Sequence, residues 1–266
     1  MVSWKELTLR PVLRLAAAAF LASFLSGTVR AQDHRPWSGF YAGIHGGYNW
    51  GAGDSSIALL PDLATWTAFS ADFAQFHGRY DSSPEGFLGG AQLGFNWQAG
   101  GLVFGVETDM SRLNADGRAE RTSLIAALSY TAQAQIRQEI DWLGTLRARI
   151  GLLPFEGRNL LVYLTGGLAY GRIEASHSFA NVDNGAGFVG SSSGWEVGGT
   201  IGGGVEWAMG GAWTLKAEYL YYDLGDRKVH GAHHNNAAPP EFGTDARYEL
   251  QGHIARIGLN LQLGQP

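Results

Sequence analysis

Apolar and polar residues alternate with a period of two along most of this 266-residue chain. Between Phe40 and Trp50, every second residue is aromatic, aliphatic or glycine, and the residues between them are smaller or more polar. A period of two places the two sets on opposite faces of a β-strand. About eight such segments follow one another. The chain is therefore predicted to be all-β and antiparallel.

The two faces of these strands differ in charge. The apolar face carries no charged residue, whereas the other face carries Glu107, Asp109, Asp141, Arg147, Arg149, Glu196, Glu206, Lys216, Glu218 and Arg256. A soluble β-sandwich, the alternative, would expose its charges to water and bury its apolar face. Charges inside and apolar residues outside suit a lipid exterior, where only a closed barrel leaves no unpaired backbone edge. We therefore predict a membrane-embedded, eight-stranded, antiparallel up-and-down β-barrel.

Aromatic residues gather near both ends of the predicted strands. This girdle is predicted to contain Phe40, Trp50, Trp97, Trp142, Trp195, Trp207, Trp213 and Tyr219. Amphipathic rings prefer the two membrane–water interfaces, so two belts indicate the two boundaries of a bilayer.

The predicted connections alternate in length. Residues 99–101, 154–159 and 210–212 form short turns, and residues 51–85, 111–134, 174–193 and 225–247 form long loops. Bacterial barrels place short turns in the periplasm and long loops outside the cell. Residues 121–135 fit either a short helix or an extension of the fourth strand, and the alternation favours the extension.

The first 31 residues are predicted to be a cleavable signal peptide, which leaves residues 32–266 as the barrel domain. A basic start that includes Lys5 and Arg10 precedes the apolar run from Leu15 to Leu25, and small residues end at Ala31. The alternative, a membrane anchor, is disfavoured because the run forms only about 16 Å of helix, too short to span a bilayer.

Composition excludes several classes of function. The chain has no cysteine, which excludes disulfides, zinc–thiolate sites and thiol nucleophiles. Its net charge is −5, and the first 31 residues carry four basic and one acidic side chain, so the remainder is near −8. An acidic chain has few cationic side chains in excess to displace the counterions of nucleic-acid phosphates, so no nucleic-acid partner is predicted. No cofactor is predicted either.

The charged residues are expected to fill the barrel. Eight strands enclose an interior just wide enough for side chains, and buried charges require partners. We therefore expect Arg147, Arg149 and Arg256 to pair with Glu107, Asp109, Glu206 or Glu218 as a structural plug. The alternative is a narrow, selective channel with this cluster as its constriction.

Histidines and catalytic motifs give weaker signals. His230, His233 and His234 lie beside Asp226 in a predicted loop and are candidates for metal or haem binding, although incidental surface histidines are favoured. His253 is expected to point outward without a paired serine, and no nucleotide-binding fingerprint is present. The sequence does not predict an enzyme.

Several segments resemble one family, the small outer-membrane β-barrel proteins of alpha-proteobacteria known as outer-membrane immunogenic or "porin family" proteins. They are Trp37–Gly43, Asp141–Gly151, Leu164–Gly171, Lys216–Gly225 and Arg256–Asn260. The resemblance implies an OmpA-type barrel exposed as a surface antigen. It also implies contacts with outer-membrane lipids and the barrel-assembly machinery, possible host or environmental ligands, and a monomer or loose oligomer. Members usually end on an aromatic residue, whereas this chain ends Leu263-Gly264-Gln265-Pro266.

Overall fold

The computed structural model describes residues 37–155, 159–234 and 242–263. The predicted signal peptide lies outside these ranges. In chain order the elements are β1 (Gly39–Gly51), β2 (Ser55–Leu60), α1 (Leu63–Phe69), a 3-10 helix (Ala71–Phe76), β3 (Gly78–Tyr80), β4 (Glu85–Ala99), β5 (Leu102–Ile125), a 3-10 turn (Ala126–Leu128), β6 (Tyr130–Leu152), β7 (Leu160–Asn181), β8 (Gly187–Gly210), β9 (Trp213–His234) and β10 (Gly243–Leu263). Among the described residues, no helix is long and apolar enough to cross a membrane.

Eight of the strands close into a barrel. The antiparallel order is β1-β4-β5-β6-β7-β8-β9-β10, and β1 pairs with β10 to complete the ring. This confirms the predicted eight-stranded architecture. Two further strands, β2 and β3, join the same sheet at its outer end: Gly51 of β1 pairs with Gly252, and beyond it Ser55 of β2 pairs with Tyr248 of β10. The wall beside β10 therefore continues past the end of β1.

A band of apolar side chains surrounds the section of the barrel near the short turns. Ile44, Leu164 and Val197 are 66%, 70% and 67% exposed. All eight residues of the predicted girdle lie on this outer wall, with Trp50 half-buried and the other seven exposed. Leaving so much apolar surface in water would be costly, so hydrocarbon is the solvent that suits this band.

The strands β5 to β10 continue beyond the aromatic girdle on the side away from the short turns. This part of the barrel is called the outer section, and it corrects the predicted loops. The described residues within 111–134, 174–193 and 225–247 are mostly strand rather than loop. The favoured extension of the fourth predicted strand is correct only from Tyr130, where β6 begins; residues 121–125 belong to β5, and 126–128 form the 3-10 turn. In this outer section the polarity of the wall is reversed: inward residues such as Ile136 and Phe179 are apolar and buried, and the outward faces carry Arg118 and Glu120. Water outside the wall explains the reversal.

A β-bulge on β6 lies where the two sections meet. The register shifts between Ile140 and Trp142. Below the bulge, inward positions are Leu143 and Thr145, and above it they are Ile140 and Gln138. The extra residue, Asp141, therefore leaves the inward-facing row.

The connection between β1 and β4 folds into the outer section. The Asp62 carboxylate accepts a hydrogen bond from the Thr65 backbone N–H at 2.7 Å and caps the start of α1. Trp66, Phe73 and Phe76 are buried beneath the outer ends of the strands. They join a continuous apolar core, so the outer section has the interior of a water-soluble domain.

His177 is buried in this outer section and should make its stability depend on pH. Its Nε2 lies 3.1 Å from the Thr244 hydroxyl, and its niche is lined by Gly190 and Gly231. Burial lowers the pKa of His177 from 6.5 to about 4; the Thr244 backbone and Asp245 act in the opposite direction, and His230 acts in the same one.

The folded state binds a proton at His177 less tightly than the unfolded chain does. The contribution of the neutral ring to the free energy of unfolding is therefore complete above pH 6.5 and is lost as the pH falls toward 4. The free energy of unfolding should fall by about 3 kcal/mol over this range through His177. Urea unfolding in detergent micelles from pH 7 to 4, on the wild type and on His177→Gln, isolates this contribution. Identical pH profiles for the two proteins would contradict the assignment.

Candidate functional site

Eight charged side chains converge inside the section of the barrel near the short turns. This section carries the outward apolar band and is called the membrane section below. They are Glu107 and Asp109 on β5, Arg147 and Arg149 on β6, Glu206 on β8, Lys216 and Glu218 on β9, and Arg256 on β10. Each is at most 5% exposed. Alternation aims every one of them inward, and the four carboxylates balance the four cations in formal charge.

Arg147 lies at the centre of this cluster. Its Nη1 donates to Glu218 at 2.9 Å, and its Nη2 donates to Asp109 at 3.0 Å and to Glu107. Its Nε donates to the Thr145 hydroxyl at 2.8 Å, and that hydroxyl donates to Asp109 at 2.6 Å. One guanidinium therefore joins three carboxylates, an arrangement suited to its planar fork of donors.

Two further cations tie the same carboxylates together. Arg256 donates from Nε to Glu218 at 2.8 Å and from Nη2 to Asp109 at 2.8 Å. Lys216 donates to both oxygens of Glu107 at 2.8 and 2.9 Å. The two glutamates and Asp109 are thus each held by more than one cation, as buried carboxylates require.

A second layer lies toward the short turns. Arg149 donates to Glu206 at 3.0 Å and to the Asn96 side-chain carbonyl at 2.8 Å. Its guanidinium also lies over the rings of Tyr41 and Tyr163, 4.8 and 5.2 Å from their centroids. These contacts combine ion pairing with cation–π attraction in one cross-section of the lumen.

The sequence interpretation did not single out the tyrosines and histidine that complete the cluster. The Tyr41 hydroxyl donates to Glu107 at 2.6 Å, and the Tyr163 hydroxyl donates to Glu218 at 2.8 Å. His45 lies within 2.7 and 2.8 Å of the side chains of Gln92 and Ser111. All three share the inward phase of the predicted strands, and that phase is the signal that could have identified them.

Asp141 was predicted to belong to the lumen cluster, and the structure places it elsewhere. The bulge on β6 turns it toward the outer wall, where it lies 3.5 Å from Arg112. Glu196 keeps its predicted inward phase, between the exposed Trp195 and Val197, but it pairs with Arg227 at 3.2 Å instead of joining the cluster. A bulge inserts one residue into a strand and shifts the alternation, which strict counting from the sequence cannot anticipate.

The three candidate metal-binding histidines lie at the end of β9 rather than in a loop. The His230 Nδ1 is 2.7 Å from Asp245, and the His233 ring packs 4.8 Å from that of Phe188. Asp226, expected beside them, pairs with Arg247 at 3.2 Å. Within the described ranges, no three His, Cys, Asp or Glu side chains are grouped so as to hold a metal ion. The structure therefore does not bring the candidates together.

Comparison with known proteins agrees with this architecture. Residues 18–262 match the family model described as "Outer membrane protein beta-barrel domain". The "31 kDa outer-membrane immunogenic protein" of Brucella melitensis biotype 1 is 33% identical over 81% of this chain and 82% of its own length. The "22 kDa outer membrane protein" of Rhizobium leguminosarum bv. viciae is 27% identical over 70% of this chain and 64% of its own.

Among solved structures, the outer membrane protein OprG from Pseudomonas aeruginosa is similar over 86% of this chain and 97% of its own, with 15% identity and a TM-score of 0.48. The match to the family model spans most of the chain, and the Brucella relative is similar over most of both chains. The protein therefore belongs to the outer-membrane β-barrel family of the bacterial outer membrane.

Proposed function

We propose that this protein is a non-catalytic, non-conducting surface protein. Its barrel anchors a folded outer section in the outer membrane and offers that section to partners outside the cell. The observation that supports this best is the closure of the lumen by eight paired and buried charges. A barrel whose interior is occupied by its own side chains acts as an anchor rather than as a pore.

A second barrier lies directly above the charged cluster. The next inward positions on β9 and β10 are Leu220 and Ile254, and on β6 Leu143 comes after Thr145. These leucine and isoleucine side chains are each at most 3% exposed. They begin the apolar core of the outer section. An ion would have to separate the buried charge pairs and then cross an apolar layer without its hydration shell. The two barriers in series favour the closed anchor over the narrow channel.

Conductance measurements test this proposal. We expect the purified protein to produce no resolved current steps in planar lipid bilayers. The control is a variant with Arg147→Gln and Arg149→Gln, which removes the two guanidinium groups from the lumen. Wild-type steps whose size changes in this variant would locate ion flow in the lumen and contradict the proposal.

The outer section is the part of the molecule that could meet partners in the surroundings. It consists of the outer ends of β5 to β10, closed on one side by β2, β3 and the 3-10 helix at Ala71–Phe76. Arg121 on β5 donates to the Gln75 backbone carbonyl at 2.8 Å and joins this helix to the wall. A packed platform loses less entropy on binding than flexible loops would, which favours a contact role.

A further inference from the structure

The outer section contains an apolar cavity of about 230 Å³. Tyr130 of β6 lines it together with six tryptophan and phenylalanine side chains: Trp66, Phe69, Phe73, Phe179, Phe188 and Phe242. They come from α1, the 3-10 helix, β7, β8 and the residue before β10. Phe69 and Leu128 remain 59% and 47% exposed at the cavity, so it is accessible from outside the cell.

The cavity is held open by contacts within the protein. The Trp66 ring meets Phe73 and Phe179 edge-to-face, with centroids 4.8 and 5.4 Å apart. The Trp66 Nε1 donates to the Leu60 carbonyl at 2.7 Å, and Asp62 caps the helix that carries the ring. Both polar contacts fix the orientation of the indole. A ligand would therefore enter a preformed site and would not need to order it.

The lining determines the chemistry of a ligand. Among the described residues, no charged side chain lines the cavity, and its polar groups are the Asn181 amide and the Tyr130 hydroxyl. A charged ligand would lose its hydration there without gaining an ionic partner, so a neutral ligand is favoured. Aromatic edges and faces around the space favour another ring in an offset or edge-to-face position.

The volume determines the size of the ligand. An apolar cavity of about 150 Å³ accepts benzene, whereas drug-sized ligands occupy pockets of about 300 Å³ or more. A space of about 230 Å³ lies between these limits. It is large enough for two fused rings and too small for a porphyrin. We infer that this cavity binds a small, neutral, bicyclic aromatic molecule from outside the cell. This inference rests on the proposed contact role of the outer section, and not on the closure of the lumen.

Binding of 5-fluoroindole, followed by 19F NMR with the full chain in lipid nanodiscs, tests the inference. Ala186 lines the cavity, and Ala186→Trp should fill it. Phe69→Ala removes an exposed part of the wall and should leave the fold unchanged. The matched control is Leu124→Ala, because Leu124 is also 59% exposed in the outer section but does not line the cavity.

We expect saturable, one-site binding by the wild type and by Leu124→Ala. Binding should be about tenfold weaker or more in Ala186→Trp and about fivefold weaker in Phe69→Ala. Heat-modifiable migration on a gel verifies that each variant is folded, and Phe69→Ala decides the result if Ala186→Trp does not fold.

Uptake that rises linearly with concentration, and is equal in the wild type and both cavity variants, would show partition into lipid alone and overturn the inference. An equal loss in Leu124→Ala would also overturn it. A protein that is closed to ions but does not bind 5-fluoroindole refutes only this inference. A protein that binds 5-fluoroindole but conducts ions refutes only the closed lumen.

Discussion

Replacing Arg147 with Met should lower the free energy of unfolding by about 3–5 kcal/mol, the usual cost of removing one partner from a buried ion pair. Arg147 contacts three carboxylates at once, and its side chain has no solvent exposure. Methionine retains much of the volume but leaves Glu107, Asp109 and Glu218 with fewer cations to balance them. The measurement is urea unfolding in detergent micelles at pH 7, followed by loss of heat-modifiable migration.

The matched control for this variant is Arg112→Met. Arg112 is also paired with a carboxylate, Asp141 at 3.5 Å, but its side chain is 60% exposed on the outer wall. Exposed pairs contribute between about 0 and 1 kcal/mol, so this control should change the stability little. Adding Glu218→Gln to Arg147→Met should recover part of the loss, because it removes one of the uncompensated charges. Equal costs for the two arginine variants would contradict the central role of Arg147.

The lumen could be predicted from the sequence because one rule applies to it throughout. In the membrane section, lipid outside requires an apolar face, so any charge on a strand must point inward. Glu107, Arg147 and Arg256 follow this rule, and the structure places all three in one cluster. The rule gives only the direction of a side chain. Which carboxylate each cation meets depends on the stagger between strands, and single-strand alternation does not contain that information.

The sequence predicts loops where the outer section has strands, because the solvent changes along the same strand. Above the girdle, water replaces hydrocarbon, so the apolar residues of β6 and β7 turn inward, among them Ile136 and Phe179. The alternation of apolar and polar residues persists, but the apolar residues now face inward and the polar residues outward. The bulge at Asp141 also shifts the phase of this alternation on β6. Polar outward faces rich in Arg, Glu and Ser then resemble loops. The sequence does not predict the helices at 63–76 for another reason: they are short, and each buries only one or two aromatic side chains, against partners distant in the sequence.

The helix that carries Trp66 offers the sharpest test of this outer core. Trp66 is 5% exposed and packs against rings from three other parts of the chain. Trp66→Ala removes these contacts, creates a large cavity and leaves the Leu60 carbonyl without its indole donor. Such a change in a core typically costs about 3–5 kcal/mol. The membrane section shares none of these contacts, so its own folding should persist.

Limited trypsin digestion separates the two sections. Arg79 lies in the same connection, and its side chain is 77% exposed, so trypsin should cleave there when α1 no longer packs. We expect cleavage after Arg79 in Trp66→Ala at a protease level that leaves the wild type intact, with heat-modifiable migration retained. Phe69→Ala is the control, because Phe69 lies on the same helix but is mostly exposed. If Trp66→Ala resists trypsin as well as this control does, the outer section is held by its strands alone. If it loses heat-modifiable migration too, the outer and membrane sections fold as one cooperative unit, and the change of solvent along the wall does not divide the barrel energetically.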